Sequence, residues 1–377
     1  MTAPLAGIRV IEVGHMLAGP YCGLMLADMG AEVIKIETPE GDIARSVSPH
    51  FVGPHNAYFA SLNRSKKSVV LNLACAQGQE ALADLASTSH ALITNLRPSA
   101  IRKLGLTYDS LRQCNERLVC VALTGYGLDG PYSDNPAYDY VIQALTGVMA
   151  LTGDPSAPPT KAGYSAVDNS AGLAAAVGLL AKIVQGQGGQ VDVAMYDVML
   201  SQLNYLAGAA LNAGETIERL ADSSHPYVVP AQIFATADGW LTLFITHDKF
   251  WEIFCMEIER PQWVRDPRFA TMAARRSHRT EVVSAIAQVL QQAPAAHWVR
   301  RLAPLGVVVA EVGTLNTALD GDIARSRDLV VSLGDGNLPL SAVASPIRFD
   351  DFTPTYRLPP LLNEHAAELL GKGVPCT

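Results

Sequence analysis

No long block of lysine or arginine interrupts this 377-residue sequence, and its net charge is −8. A protein that binds duplex nucleic acid is expected to carry a basic face, so nucleic acid is excluded as a principal partner. A local basic pocket for a small anion is not excluded. The six cysteines (Cys22, Cys75, Cys114, Cys120, Cys255 and Cys376) are scattered, with no Cys-X-X-Cys pair and no histidine at metal-ligand spacing. That pattern argues against a disulfide frame and against a metal site, and it suits reduced thiols in a cytoplasmic protein. The opening MTAPLAGIRVIEVG has no basic stretch ahead of an apolar core, so no secretory leader is expected. The most apolar window, AGLAAAVGLLAKIV, is short and rich in alanine and glycine, so no membrane span is expected either. A phosphate-binding P-loop is also missing. So is the closely spaced GxGxxG of nicotinamide dehydrogenases: the turn after the first apolar run reads GHMLAG.

What is present is a core-forming composition, 49% hydrophobic, in an alternating pattern. IRVIEV is a β-branched run, YCGLMLADMG a short helix stopped by Gly30, and AEVIKIE a second strand. SVVLNL, a helix over residues 77–86, ALITNL and RLVCVAL continue the strand–helix alternation of a parallel α/β domain. The unusual residues His15, Asn95, Arg97, Gly125 and Tyr126 fall at strand ends, where open α/β sheets bind ligands. YDYVIQALTGVMAL has helical period, and QVDVAM is a strand followed by a helix. From residue 223 the character changes: HPYVVPAQIFATADGWLTLFI reads as two strands around an Ala-Asp-Gly turn, followed by helices rich in arginine. The division expected is a large α/β domain over 1–200, a linker over 201–222, a smaller α+β domain over 223–328, and a proline-rich segment over 329–377 that returns to the large domain.

One carboxylate stands out. In KAGYSAVDNSAGLAAAVGLLAKIV, Asp168 is the sole acidic residue and precedes a long apolar segment. Asp168, Asn169 and Ser170 are all favoured N-cap types, and Leu173, Val177, Leu180 and Val184 recur on one helical face. A helix is therefore expected to start near Asn169 or Ser170, capped by Asp168 at a benefit of about 1 kcal/mol. The same position suits a nucleophile, since a helix N-terminus favours the ionised carboxylate and its N–H groups can steady an oxyanion. Residue pattern alone leaves both explanations open.

The segments PLAGIRVIEVGHMLAGPYCGLMLADMGAEVIKIE, NRSKKSVVLNL, ITNLRPSAIRKLGL, ALTGYGLDGPY, AYDYVIQALTG, VDNSAG, GQVDVAMYDVML, FATADGW and LLNEHAAELL occur in that order. Together they span nearly the whole chain and resemble the family III CoA-transferases, the group of formyl-CoA and carnitine CoA-transferases. The resemblance implies an open Rossmann-like large domain built from both chain ends, a smaller domain between them, and an interlocked homodimer. It implies CoA transfer from an acyl-CoA donor to a carboxylic acid acceptor through an aspartyl anhydride and an aspartyl-CoA thioester, with Asp168 as the nucleophile. The CoA thioester is a substrate, and no tightly bound cofactor is implied.

Carried over residue by residue, the resemblance puts His15, Met16, Leu17 and Ala18 along the pantetheine. It places further CoA contacts at Arg64, Lys66, Lys67 and Leu71, and at Asn95, Leu96, Arg97 and Lys103, with Tyr138 lining the site. Taken by themselves, Arg64, Lys66 and Lys67 would pass for a solvated turn, and Tyr138 for a core aromatic at a helix start. Three departures from the family pattern matter. The triplet Ala137-Tyr138-Asp139 replaces the Gly-His-Asp of the related α-methylacyl-CoA racemases, and tyrosine is a poor base at neutral pH, which argues against racemase or isomerase chemistry on this fold. No glycine-rich loop stands near SSHPYVVP or ITHDKF, which argues against formate as acceptor. The tail reads LNEH where the family has LGEH. SPHFVGPHNAYFASLNRSKKS is closer to members using succinyl-CoA and small dicarboxylates, for which Arg45 and His225 are candidate partners of the distal carboxylate.

Overall fold

The structure is a computed structural model that describes residues 2–371, so Cys376 and the end of the expected 329–377 segment lie outside the described residues. The larger unit holds the chain up to Thr146, Ala162–Gly214 and everything from Asp322 on. Its centre is a six-stranded, all-parallel sheet of β1 (Arg9–Val13), β2 (Glu32–Glu37), β3 (Lys67–Val70), β4 (Ala91–Thr94), β5 (Val119–Thr124) and β6 (Gly189–Ala194). Their spatial order is β3-β2-β1-β4-β5-β6. This is the doubly wound order, whose topological switch lies between β1 and β4. Strands buried on both faces need continuous apolar runs, and Val119–Thr124 is buried at every position.

The helices of this unit include α1 (Ala18–Asp28), α2 (Ala57–Asn63), α3 (Ala76–Ser87), α4 (Pro98–Lys103), α5 (Asp139–Leu145), α6 (Ala166–Gln185), α7 (Met195–Gln202) and α8 (Asn204–Ala213). The expected bulky face of α6 is not its buried face. Leu173, Val177 and Val184 are exposed, while Ala171, Gly172, Ala175, Ala176 and Leu179 are buried. The reason is close packing on α1. A Cβ at Gly172 would lie 2.8 Å from the Ala18 carbonyl oxygen, so only small residues fit between the two helices. At 20 residues α6 is also long and apolar enough to cross a membrane, contrary to the expectation from length. Here it packs against α1, β5 and β6.

The C-terminal segment runs along β3. Asn363 Oδ1 accepts from Val70 N at 2.8 Å, and Ser68 O accepts from His365 N at 3.0 Å. Asn363 has φ 61°, a left-handed backbone that asparagine tolerates better than most residues, which accounts for LNEH at a place where glycine would also serve. Cys22, Cys114, Cys120 and Cys255 are free thiols, but Cys75 is disulfide-bonded, so reduced thiols throughout is not what the structure shows.

The smaller unit comprises Gly147–Lys161 and Glu215–Gly321. It therefore begins before the expected 223, ends before 328 and takes in a stretch ahead of α6. The expected linker over 201–222 is mostly α7 and α8 of the larger unit. Its antiparallel sheet joins β7 (Ala231–Ala235), β8 (Trp240–Phe244) and β9 (Val308–Glu311), with β8 central. Helices α9 (Asp248–Glu257), α10 (Arg279–Leu290) and α11 (Ala295–Leu302) supply Trp251, Phe254, Ile286 and Trp298 to its core.

Candidate active site

The switch between β1 and β4 leaves two loops facing one another, and Asn95 ties them together. Its Oδ1 accepts from His15 N at 3.0 Å and its Nδ2 donates to His15 O at 2.9 Å. A Cβ on Gly14 would sit 2.5 Å from that Oδ1, so the approach requires glycine. Around this staple lies a cavity of about 140 Å³. His15, Met16, Leu17 and Ala18 form one wall, Asn95, Leu96 and Arg97 another, and Tyr138 and Asp168 also line it. Nine of the expected site residues are thus brought together from four separate segments. A second cavity, of about 770 Å³, opens beyond the ends of β1, β2 and β3 and also has His15 and Leu96 in its wall, with Leu71 and Leu104.

Asp168 is not the N-cap. Helix α6 starts at Ala166, which puts Asp168 in the first turn, and Ser165 at the cap position makes no side-chain hydrogen bond. The cap comes from elsewhere. Asp139, buried at the start of α5, accepts from Val167 N at 2.9 Å through Oδ1 and from Gln143 Nε2 at 2.6 Å through Oδ2. Gln143 Oε1 in turn accepts from Ala162 N at 2.9 Å. These two buried side chains clamp the chain that leads into α6.

The Asp168 carboxylate has no hydrogen bond or ion pair among the described residues. Burial, with the negative charge of Asp139 second, pushes its pKa up from 3.8 to about 7. The expectation that the helix terminus keeps it strongly ionised is therefore overturned: desolvation next to a second carboxylate outweighs the helix terminus. Burial likewise pulls His15 below the ordinary imidazole value, with Asp42 opposing and Lys35 adding to the effect.

Other expected contacts lie elsewhere. Arg64 is buried, its guanidinium on Asp28 (Nε to Oδ1, 3.0 Å; Nη2 to Oδ2, 2.5 Å) and on the Val343 carbonyl. Lys66 is buried on Glu12 Oε2 at 2.7 Å, and Lys67 pairs with Glu32 at 2.6 Å and with Glu368. Lys66 and Lys67 line a different cavity that shares no residue with that of Asp168. Three cations adjacent in sequence are thus committed to carboxylates of the fold rather than offered to a phosphate. Leu71 is a buried core residue that also lines the larger cavity, and Lys103 is exposed in the last turn of α4. Arg45 is held by Glu37 through two hydrogen bonds, 2.8 and 2.7 Å, and lies over the Phe59 ring. His225 belongs to the smaller unit, where its Nδ1 accepts from Tyr227 N and Val228 N at 3.1 and 3.2 Å. Burial and then the nearby Arg279 lower its pKa. Neither Arg45 nor His225 is a ready counter-charge for a dicarboxylate.

Among the residues of the site that were not anticipated, two bear on its chemistry. Tyr58, near the start of α2, lines the cavity, and its phenol is pushed above its usual value by burial and then by Asp168 and Asp42. Asp139 was read only as part of a triplet. Nothing in local pattern marks either residue, because both roles depend on segments far away in the chain. Tyr138, by contrast, is no core aromatic: it is 64% exposed at the start of α5 and lines the cavity.

Comparison with known proteins bears on this site. The family model described as CoA-transferase family III matches residues 5–366. The chain is 33% identical to the succinate–glutarate CoA-transferase of Agrobacterium fabrum, over 98% of this chain and 95% of that one. It is 30% identical to the acetyl-CoA:oxalate CoA-transferase of Acetobacter aceti, over 97% and 95%. The crystal structure of Rv3272 from Mycobacterium tuberculosis superposes with a TM-score of 0.87, at 31% identity, over 98% of this chain and 99% of that one. The chain belongs to CoA-transferase family III and is a CoA-transferase.

Proposed function

We propose that this family III enzyme moves CoA from an acyl-CoA to a small dicarboxylic acid, with the Asp168 carboxylate as the covalent relay. The observation that carries the reading is Asp168 itself: a carboxylate at a cavity beyond the sheet's carboxyl ends, with no ion-pair partner among the described residues, raised to about 7. Such a group is substantially ionised at neutral pH and more basic, hence more nucleophilic, than an ordinary carboxylate. Asp168 attacks the thioester carbonyl, forming an acyl-aspartyl anhydride and releasing the CoA thiolate. The thiolate attacks the aspartyl carbonyl, giving aspartyl-CoA and the donor acid, which leaves with one aspartate oxygen. The acceptor carboxylate then attacks aspartyl-CoA, and the thiolate released takes the acceptor's acyl carbon. The aspartate is regenerated with an oxygen from the acceptor. Every step exchanges one acyl bond for another, so no external oxidant, reductant or phosphoryl donor is consumed.

The shared wall of His15 and Leu96 supports a continuous track, with the CoA nucleotide in the larger cavity and the thioester in the smaller. Arg97 is exposed and carries the one permanent positive charge among the residues lining the Asp168 cavity, which suits an anionic substrate. The dicarboxylate is favoured by the names of the relatives, which specify succinate, glutarate and oxalate. We also propose a homodimer: Leu173, Val177 and Val184 on α6 and Leu211 on α8 expose apolar surface of the kind a second copy would cover. The test of the reaction is chromatography with mass detection after mixing the protein, succinyl-CoA and each of oxalate, glutarate and mesaconate. One-for-one appearance of the new acyl-CoA and succinate is expected. Hydrolysis alone, or racemisation of a branched acyl-CoA without CoA exchange, would overturn the reading.

A further inference from the structure

The loop between β1 and α1 is gripped from behind by charges that the covalent chemistry does not call for. Lys35, in β2, is completely buried. Its ammonium donates to Glu12 Oε1 and to the Gly14 carbonyl, each at 2.9 Å, and pairs with Asp42 Oδ2 at 2.9 Å. Asp42 Oδ1 accepts from Met16 N at 3.1 Å and from Ala44 N at 2.9 Å. Lys66 closes the cluster, reaching Glu12 Oε2 at 2.7 Å and the Pro20 carbonyl at 2.8 Å. The Gly14 carbonyl, the Met16 amide and the Pro20 carbonyl are therefore all fixed by buried ionic groups, while Asn95 fixes both backbone groups of His15 from the opposite side.

Two features make this more than packing. Met16 has φ 61°, a left-handed backbone that an unbranched non-glycine residue adopts only when its surroundings over-determine it. The Asp42 carboxylate is what holds its amide. A buried cluster of four charges is also a poor way to gain stability, because well-packed apolar residues of similar volume often do as well or better. A role in geometry accounts for both. Of the groups so fixed, His15 and Met16 line the Asp168 cavity together with the next two residues, Leu17 and Ala18.

We propose that Asp42 and Lys35 are positioning residues of the active site: the Lys35–Asp42 pair holds Met16 in its left-handed conformation and so sets the loop against which the thioester lies. The inference rests on the reading of Asp168 as the reacting group. Neither residue lines the Asp168 cavity, although Asp42 does line the larger one, so their effect on the thioester wall passes through the loop.

The experiment uses the full chain carrying Asp42→Ala or Asp42→Asn and reads two quantities. The first is amide hydrogen exchange in the segment over residues 14–20. The second is the single-turnover rate of adduct formation with succinyl-CoA, with CoA affinity measured alongside. Asp42→Ala is expected to speed exchange in that segment about tenfold or more. It should slow adduct formation at saturating succinyl-CoA by roughly 10- to 100-fold, whatever the change in CoA affinity. Asp42→Asn keeps an oxygen that can accept from Met16 N, so its rate should lie between the two, at least threefold below wild type. A folded Asp42→Ala protein with unchanged loop exchange, or with an adduct rate within twofold of wild type, overturns the proposal. If Asp42→Ala does not fold, Asp42→Asn carries the test by the same threefold criterion. A wild-type chain that forms no adduct would sink the Asp168 reading instead, and loop exchange would still decide whether Asp42 holds the loop.

Discussion

Glu12, fully buried, and Asp168, partly buried at a cavity, are acidic groups of the same α/β unit, yet they end in opposite states. Glu12 meets Lys35 and Lys66 at 2.9 and 2.7 Å, and despite complete burial its pKa is lowered. Asp168 pairs with no cation among the described residues, has Asp139 for a neighbour, and is raised to about 7. Burial pushes both upward, so the difference lies in the partners. Where two ammonium groups are supplied, a carboxylate becomes scaffold; where none is supplied, it keeps a reactive, proton-sensitive character. The paired cluster also stands directly behind the loop that faces the unpaired carboxylate.

The comparison breaks most sharply if Glu12 is removed. Glu12→Ala leaves Lys35 and Lys66 buried with one compensating carboxylate fewer, and a loss of about 3–5 kcal/mol is expected in urea unfolding. Asp168→Asn should do the reverse. A carboxyl that titrates near 7 in the folded chain but near 3.8 when unfolded binds more protons in the native state between those values. Wild-type stability therefore falls as pH rises through that window and is fully present only below it. The variant should be more stable than wild type by about 4 kcal/mol at pH 8, an advantage that fades towards pH 4. Equal stability of the two proteins at pH 8 would show that Asp168 is ionised without strain.

Smaller effects sharpen the contrast. Adduct formation with saturating succinyl-CoA should fall about tenfold per pH unit once the pH is well below 7 and level off above it. A flat profile between pH 5 and 8 would contradict the raised value. Asp139→Asn removes the negative neighbour while keeping an oxygen to accept from Val167 N. The midpoint of that profile should then move to lower pH with little change in unfolding free energy, and an unmoved midpoint would assign the whole shift to burial.

Much of the α/β frame was legible in sequence because buried parallel strands are written as β-branched runs between helices, as in IRVIEV and RLVCVAL. The face of α6 was not. Helical periodicity marks bulky residues as buried, but close packing on α1 buries Ala171, Gly172 and Ala175 and turns Leu173 and Val177 outward. The cluster of Arg64, Lys66 and Lys67 passed for a solvated turn because its partners, Asp28, Glu12, Glu32 and Glu368, are distant in the chain. Asp168 itself stood out as a lone carboxylate in an apolar stretch, which pointed to a cap as readily as to a nucleophile. What separates the two is Asp139, which takes over the capping and leaves Asp168 without a hydrogen-bond partner among the described residues, and that arrangement exists only in three dimensions.

The most direct test of the central claim is intact-protein mass spectrometry with peptide mapping after mixing wild type and Asp168→Ala with succinyl-CoA, followed by rapid quenching. The account predicts a CoA- or succinyl-sized adduct on wild type that maps to the peptide containing Asp168 and is absent from the variant. An adduct of equal yield on Asp168→Ala, or CoA exchange by that variant at the wild-type rate, would contradict it.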